Sequence, residues 1–343
     1  MVFDSISRFF SYDLGIDLGT AYTLVYAKGK GIVANEPSVV AVKGEEKESR
    51  RIVAVGGQAR DMIGRTPSKI RAIKPIKDGV VADFEAAMMM LEYFIRGIHN
   101  NRKGLVRPRV LLSVPIEINE IEKKALTESA KSAGAGEVYL IEAVLGAAIG
   151  AGISVEEPVG NMIVDIGAGK TEIAVTSLGA VVVATSSRTG GESMDQAIIQ
   201  YIKHKYNRVI SDGAAERLKI GLGTVSTNGN NGFTRVNLSD LSGNNPNSID
   251  ISSAEINSAL IPSVNSIVAA IKQTFEVTQP ELVADIIDNG ITLTGGGALL
   301  GGLDKLIQEE MGVLVRVAEQ PMLCVVLGLG KTLDNFSLLK QVS

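Results

Sequence analysis

The chain has few of the residues that build disulfides, histidine metal clusters or histidine-dependent catalytic sites. Its 343 residues include one cysteine, Cys324, and two histidines, His99 and His204. A single cysteine excludes an intrachain disulfide and indicates a reducing compartment. Two histidines disfavour a histidine-based metal cluster and a serine–histidine–aspartate triad.

A strong excess of one charge is absent as well. The 34 basic and 38 acidic residues give a net charge of −4, which argues against a general nucleic-acid binder. Because 45% of the residues are apolar, a disordered chain is excluded. The length predicts two domains, each able to bury its own core.

Long apolar runs are rare. Residues 1–10 contain none, so we expect no secretory signal. Glu142 is the only charge within residues 138–155, but the glycines of this run predict a buried strand and a tightly packed helix rather than a membrane span. Buried parallel strands, which read as continuous apolar runs, account for the mean hydropathy of +0.20.

Strand-like runs alternate with helical periodicity along most of the chain, which is typical of an α/β fold. Asp83 precedes an amphipathic helical pattern, and Asn119 with Glu122 resembles a capping box that opens a second helix. Further helices are predicted over 256–275, with a bend or entry near Pro262, and over 280–289, closed by Gly290.

An internal repeat divides the chain. Asp17, Gly19, Thr23 and Gly31 recur 148 positions later, as Asp165, Gly167, Thr171 and Gly179. In both copies an apolar strand enters an aspartate–glycine turn and leaves it as another apolar strand. We therefore expect two related α/β domains that face one another.

These turns suit phosphate. Gly19 and Gly167 would let backbone N–H groups approach a phosphate, and Thr20 adds a hydroxyl. Asp17 would hold Mg²⁺ through water, because this ion keeps part of its hydration shell. A Walker A loop ending at Lys170 is rejected, because a strand pattern follows it where that motif needs a helix.

A third glycine segment lies near the end of the chain. The run 291–300 predicts a strand, a triple glycine and then a helix, whose N-terminus would suit an anion or a flat base. Leu300 stands where a Rossmann fingerprint needs its third glycine, so a dinucleotide site is disfavoured.

The two turns and the triple-glycine segment resemble the phosphate and adenosine loops of the actin, sugar kinase and heat-shock chaperone superfamily. Finer matches over 29–38, 64–67, 78–84 and 295–303 are similar to the MreB family of bacterial actins. The resemblance implies an actin-like α/β fold of two related ribonuclease-H-like domains, each with a smaller inserted subdomain, and a nucleotide cleft between them. The first domain would span 1–150 and 318–343, with its subdomain at about 34–76. The second would span 151–317, with its subdomain at about 190–252.

The same resemblance implies ATP or ADP with Mg²⁺ as cofactors. Asp17 and Asp165 would hold the metal through water. The residues expected around the nucleotide are Asp17, Gly19, Thr20, Ala21, Tyr22, Gly167, Ala168, Gly169, Lys170, Gly190, Gly191, Glu192, Glu216, Arg217, Leu218, Lys219, Gly295, Gly296, Gly297, Ala298 and Leu299.

Two departures from the family bear on catalysis. Ala143 stands where a glutamate usually orients the attacking water, and Lys170 stands where a threonine helps to position it. Two further deviations are Tyr22, where the family has asparagine, and Ile116, where it commonly has serine. Losing a positioned acid or base group costs ~10²–10⁴ in rate, so we expect slow ATP hydrolysis. Lys170 would either tighten nucleotide binding or pair with Asp165 and weaken Mg²⁺ binding.

The resemblance also implies double protofilaments on the cytoplasmic face of the cell membrane, in the cytoplasm, where they organise cell shape and, as a further role, motility. Paralogous actin-like subunits are expected partners, and nucleic acid is not. Two segments are candidates for membrane contact: a short amphipathic helix with Phe3, Ile6, Phe9 and Phe10 on one face, and a loop with Leu105 and Val106 between basic residues. A clip packed on the body is the alternative for the first segment.

Two other functions within the same superfamily are alternatives. A metabolite kinase would need a carboxylate base facing a sugar pocket, and such kinases are usually longer. A chaperone ATPase would need an appended peptide-binding domain, for which we see no room before Ser343.

Overall fold

A computed structural model describes residues 12–44, 50–67, 69–98, 107–225, 232–240, 247–335 and 338. The strands are β1 Leu14–Leu18, β2 Tyr22–Ala27, β3 Gly31–Pro37, β4 Val40–Lys43, β5 Arg51–Val55, β6 Ile70–Ile73, β7 Ile76–Lys77, β8 Val80–Val81, β9 Arg109–Val114, β10 Glu137–Glu142, β11 Asn161–Ile166, β12 Thr171–Ser177, β13 Ala180–Ser187, β14 Arg208–Val209, β15 Phe233–Asp240, β16 Asn247–Ser252, β17 Ile291–Thr294 and β18 Val315–Val317. The α-helices are α1 Gly57–Asp61, α2 Phe84–Ile98, α3 Glu120–Ser132, α4 Ala143–Gly150, α5 Gly191–Tyr206, α6 Asp212–Leu222, α7 Ser253–Glu276, α8 Pro280–Asn289, α9 Leu303–Met311 and α10 Cys324–Asp334.

The contacts divide the chain into two compact units. The first comprises Met1–Pro158, Ser177–Ala180 and Leu323–Ser343, and the second comprises Val159–Thr176 and Val181–Met322. The domain boundaries expected from the sequence stay a prediction.

The first unit is built on a five-stranded sheet in the order β10-β9-β1-β2-β3. Strand β1 is antiparallel to β2 and parallel to β9, and its residues Leu14 and Ile16 are fully buried. Helix α2 packs its inner face on this sheet, and the Asp83 carboxylate accepts a hydrogen bond from the Ala86 amide at 3.0 Å. The helix begins where the sequence predicts because this cap satisfies one of its free amides.

The second unit repeats this arrangement. Its sheet has the order β13-β12-β11-β17-β18, so β11, β12 and β17 take the places of β1, β2 and β9. Helices α5 and α7 contribute much of its apolar core. The predicted duplication is therefore confirmed, and the hairpin with the aspartate–glycine turn lies centrally in both sheets.

Several local predictions are confirmed. The apolar run 138–155 forms β10 and then α4, and α8 begins at Pro280 and ends before Gly290. The capping box of α3 is formed, with the Glu122 amide donating to Asn119 Oδ1 at 2.9 Å. The helix predicted over 256–275 is present as α7, but it begins at Ser253 and contains Pro262, so an entry at that proline is wrong.

Helix α7 is also the one described helix that is long and apolar enough to cross a membrane. Its apolar side contributes to the core of the second unit, and 44% of its most apolar window is buried there. Length and composition alone do not distinguish a membrane-spanning helix from a helix of a protein core.

The prediction of a helix directly after the triple glycine is wrong. Residues Gly296–Leu299 form a single 3₁₀ turn, and α9 starts only at Leu303. The chain cannot continue as one helix because Leu300 is extended and Gly302 is left-handed, with φ 78°. A helix N-terminus therefore does not lie where the sequence suggested.

Helices α4 and α10 cross at backbone contact. A Cβ on Gly150 would lie 1.8 Å from the Cys324 carbonyl oxygen, and one on Gly328 would lie 1.8 Å from the Gly146 carbonyl oxygen. Lys331 of α10 also donates to the carbonyl of Ile149 at 2.9 Å. Glycine at these crossings is what lets the two helices meet.

Candidate functional site

The turn after β1 is closed by its own backbone. The Gly19 amide donates to the Tyr22 carbonyl at 3.1 Å, and a Cβ on Gly19 would lie 2.7 Å from that same oxygen. Within the described part of the chain, the amides of Thr20 and Ala21 have no hydrogen-bond acceptor. Two adjacent amide donors therefore lie at this turn, which makes it a candidate anion site.

Hydroxyl groups hold this turn in place. Ser113 Oγ, at the end of β9, donates to Asp17 Oδ1 at 2.7 Å. Ser38 Oγ donates to the Gly19 carbonyl at 2.6 Å. The Thr20 hydroxyl accepts from the Gly79 amide at 3.2 Å, so it is oriented by the loop between β7 and β8.

Tyr22 occupies the last position of the turn. Its hydroxyl accepts a hydrogen bond from Arg60 at 3.4 Å, which directs the ring towards the segment after β5. The smaller asparagine that the family resemblance expects could not reach this partner. The substitution therefore changes the wall of the turn rather than its backbone.

The turn after β11 has the same construction. The Gly167 amide donates to the Lys170 carbonyl at 2.9 Å. The next three amides, those of Ala168, Gly169 and Lys170, have no acceptor among the residues that the structure describes. Three successive free N–H groups form an anion-binding concavity.

The aspartates of the two turns have equivalent partners. Thr294 Oγ1, at the end of β17, donates to Asp165 Oδ1 at 2.9 Å, as Ser113 does to Asp17. Each hydroxyl comes from the parallel neighbour of the aspartate's strand. No group of three or more potential metal ligands occurs in the described ranges. Each carboxylate fits a Mg²⁺ ion that keeps waters and phosphate oxygens as its other ligands.

The N-terminus of α5 packs directly against the second turn. The amides of Gly191 and Glu192 donate to the carbonyls of Gly167 and Ala168 at 2.9 and 2.8 Å. A Cβ on Gly190 would lie 2.6 Å from the Ala168 oxygen. These bonds join the carbonyls of Gly167 and Ala168 to the first amides of α5.

The triple-glycine segment closes on the end of β11. A Cβ on Gly295 would lie 2.3 Å from the Ile166 carbonyl oxygen, and one on Gly297 would lie 2.2 Å from Ile166 Cγ2. Gly295 also has φ 79°, which other residues rarely adopt. Ala298 is buried, whereas Leu299 is more than half exposed.

The four residues of α6 that were predicted to surround the nucleotide, 216–219, lie in different environments. Lys219 Nζ donates to the Gly191 carbonyl at 2.8 Å and lies 2.9 Å from Asp195 Oδ1. Its geometry at Oδ1 is that of an ion pair rather than of an aligned hydrogen bond. Leu218 is buried in the core, and Glu216 and Arg217 are exposed. Lys219 therefore reaches the phosphate-turn assembly, whereas Leu218 packs away from solvent.

Asp195 is an unusual carboxylate. Burial raises its pKa to about 6, which the ion pair with Lys219 opposes, and the charges of Glu216 and Glu192 raise it further. The group therefore titrates close to neutral pH.

Lys170 contacts the carboxylate of Glu172, which the sequence did not predict as its partner. Its ammonium lies 2.5 Å from Glu172 Oε1, and both side chains are largely buried. Lys170 therefore forms an ion pair with Glu172, the cross-strand neighbour of Asp165.

Ala143 is the first residue of α4 and is half-buried. Its neighbour Glu142 ends β10 and makes no side-chain capping bond. A methyl group cannot accept a hydrogen bond from water. The side chain of residue 143 therefore cannot orient a water molecule.

Sequence reasoning missed the partners Ser113, Thr294, Glu172 and Asp195. Glu172 is the one partner with a local signal, since it lies two positions after Lys170, which directly precedes β12. The others lie far along the chain from the residues that they contact. The membrane candidates Phe3, Ile6, Phe9, Phe10, Leu105 and Val106 lie outside the described residues.

Comparison with known proteins identifies the chain's relatives. The MreB/Mbl protein family profile matches residues 11–341. The chain belongs to the MreB/Mbl family. The cell shape-determining protein Mbl of Bacillus subtilis (strain 168) is 48% identical over 333 residues, which cover 97% of this chain and 98% of Mbl. The cell shape-determining protein MreB of Escherichia coli (strain K12) is 47% identical over 326 residues, 95% of this chain and 94% of MreB.

Solved structures agree with this membership. MreB5 of Spiroplasma citri bound to ADP has a TM-score of 0.87 and 35% identity, over 96% of this chain and 98% of MreB5. The structure of the same protein bound to AMPPNP has a TM-score of 0.86 and 35% identity, over 95% of this chain and 97% of MreB5. The predicted actin-like α/β fold is therefore confirmed. The MreB/Mbl family is one of cell shape-determining proteins, so the metabolite kinase and chaperone alternatives lose their basis.

Proposed function

We propose that this chain is an ATP-binding, filament-forming actin-like protein that organises cell shape and hydrolyses ATP slowly. The observation that carries the proposal is the duplicated aspartate–glycine turn, with free amides at 20–21 and at 168–170. Adjacent free N–H groups bind phosphate oxygens. The relative MreB5 has been solved with ADP and with AMPPNP, which supports an adenine nucleotide as the ligand.

In this proposal the turn amides hold the phosphates, and Asp17 and Asp165 hold Mg²⁺ through water. Ser113 and Thr294 each donate to one oxygen of an aspartate, which fixes the orientation of that carboxylate. Bound Mg²⁺ would neutralise phosphate charge. The 295–298 segment would take the adenosine part, because its glycines allow close backbone approach.

Slow hydrolysis follows from two positions. Ala143 supplies no acceptor for an attacking water, and Lys170, engaged with Glu172, supplies no hydroxyl. The missing acid or base function lowers the rate by ~10²–10⁴ relative to a site that has it.

Phosphate release and nucleotide binding, measured side by side on the same preparation, test this proposal. We expect the parent to bind ATP with Mg²⁺ and to release phosphate at least about 100-fold more slowly than Escherichia coli MreB. Ala143→Glu with Lys170→Thr should recover much of the loss. Because Lys170→Thr leaves the buried Glu172 without its cation, a second double variant, Ala143→Glu with Lys170→Gln, keeps a donor for Glu172. Parent turnover equal to that of Escherichia coli MreB would refute slow hydrolysis, and absence of nucleotide binding would refute the whole assignment.

The proposal also includes filament formation and membrane association. Family membership supports a role in cell shape, and the proposal extends this role to self-association at the cytoplasmic face of the cell membrane, with paralogous subunits as further partners. Electron microscopy with ATP and Mg²⁺ should show filaments. Sedimentation with anionic liposomes should show binding that Leu105→Ser/Val106→Ser weakens, and unchanged sedimentation would remove that loop from the proposal.

A further inference from the structure

Lys170 contributes two groups with different surroundings to the second turn. Its backbone amide is one of the three N–H groups at 168–170 that have no acceptor among the described residues, so it belongs to the proposed phosphate site. Its side chain reaches β12, where the ammonium donates to Glu172 Oε1 at 2.5 Å. A positive charge is therefore fixed beside the turn that would hold the phosphates.

The burial of this ion pair keeps the ammonium in place. The Lys170 side chain is 12% exposed and the Glu172 side chain is 4% exposed. Separating such a pair would leave a buried carboxylate without its cation, which is strongly unfavourable. We therefore expect the ammonium to remain with Glu172 when a nucleotide binds, and to act on the phosphates through its charge rather than by moving to them.

Glu172 places this charge near the carboxylate that would hold Mg²⁺. Asp165 on β11 and Glu172 on β12 are directly opposite each other in the antiparallel pair. Side chains at such positions lie on the same face of the sheet, with Cβ atoms about 5 Å apart. Lys170 offsets one of the two carboxylate charges, which the threonine expected from the family resemblance could not do.

We propose that Lys170 supplies part of the positive charge that Mg²⁺ supplies where a threonine stands at this position, so that this chain binds ATP with little dependence on Mg²⁺. The inference rests on the proposed nucleotide binding and goes beyond it, because it concerns which cation neutralises the phosphates. A site with less negative charge attracts Mg²⁺ less strongly and repels a metal-free polyphosphate less strongly. Both effects reduce the difference between the ATP affinities measured with and without the metal.

Calorimetric titration of the full chain with ATP, in EDTA and in excess Mg²⁺, tests the proposal. For the parent we expect the two dissociation constants to differ by less than about tenfold. Lys170→Gln keeps a donor for Glu172 but removes the charge. It should weaken ATP binding in EDTA by about 10–100-fold, the effect of one charge at about 6 Å with an effective dielectric constant of about 20–40, and change the affinity in Mg²⁺ by less than about threefold.

Two further variants separate charge from structure. Lys170→Arg retains the positive charge and should behave like the parent in both titrations. Lys203→Met removes an exposed lysine of α5, away from the ion pair, and should also match the parent. Circular dichroism and melting curves establish that each variant is folded.

The possible outcomes are distinct. An equal loss of affinity in EDTA and in Mg²⁺ for Lys170→Gln would show that the lysine supports the turn without supplying its charge, and would overturn the inference. Unchanged affinity in EDTA would overturn it as well. Should Lys170→Gln not fold, the parent decides, because a parent whose ATP affinity falls by more than about tenfold when Mg²⁺ is removed contradicts the inference and leaves the proposed function intact. A parent that binds ATP under neither condition refutes the proposed function itself.

Discussion

Replacing Gly328 by alanine should destabilise the first unit strongly, because the new methyl group would enter the backbone contact between α4 and α10. Its Cβ would lie 1.8 Å from the Gly146 carbonyl oxygen, whereas ordinary contact begins at 3.4 Å. The helices must therefore separate by about 1.6 Å. Neither side can yield by rotating a side chain, since the atoms opposite belong to helix backbone.

The magnitude follows from the cost of overpacking. Extra methyl groups in packed cores cost about 1–3 kcal/mol, and a rigid contact belongs at the upper end, so we expect about 3 kcal/mol. For a unit of this size each kcal/mol lowers the melting temperature by about 2–4 °C, which gives a fall of about 6–12 °C. Calorimetric melting of the nucleotide-free parent and variant at the same protein concentration measures this fall in melting temperature.

Gly146→Ala is the matched control because it lies in the same crossing. A Cβ there would meet Val325 Cγ1 at 3.7 Å, an ordinary contact. Alanine in a helix interior is about 0.5–1 kcal/mol more favourable than glycine, so this variant should melt at or slightly above the parent. Equal destabilisation by both substitutions, or a Gly328→Ala melting point within about 2 °C of the parent, would refute the backbone-contact geometry.

Three further predictions concern other parts of the chain. Asn119→Ala should cost about 1 kcal/mol by removing the cap of α3, and Asn119→Ser, which retains a capping oxygen, should restore most of it in denaturant titrations. Glu255→Gln should be less stable than the parent at pH 6. Burial opposes the low pKa of Glu255, but hydrogen bonds from Lys205, Tyr206 and Ser252 outweigh it and bring the pKa to about 2. The stability from this charge is lost as the pH falls from 4.5 towards 2, so the two urea midpoints should converge there, and a constant difference would contradict the assignment. Gly190→Ala should abolish ATP binding because its Cβ would overlap the carbonyl oxygens of the 167–168 turn, while Gly221→Ala, in open space on α6, should bind normally in the same titration.

Much of the fold was predictable because its signals are local. The apolar strands around Asp17 and Asp165, the caps at Asp83 and Asn119, and the stop at Gly290 are each contained in a few residues. The prediction of a helix after Gly297 failed because a short apolar stretch behind glycines does not distinguish a 3₁₀ turn from the start of a helix. Two more glycines before Leu303 delay the start of the helix to that residue.

The sequence by itself determined the duplicated turn, the α/β alternation and the family resemblance, because residue spacing and backbone conformation encode them within short windows. Tertiary structure alone decided which side chains support the turns. Ser113 lies 96 residues from Asp17 and Thr294 lies 129 from Asp165, and they meet only because β9 and β17 pair in parallel with the strands of the turns. The contact of Lys219 with Gly191 and the crossing at Gly328 have the same origin, since helix packing rather than local sequence brings these atoms together.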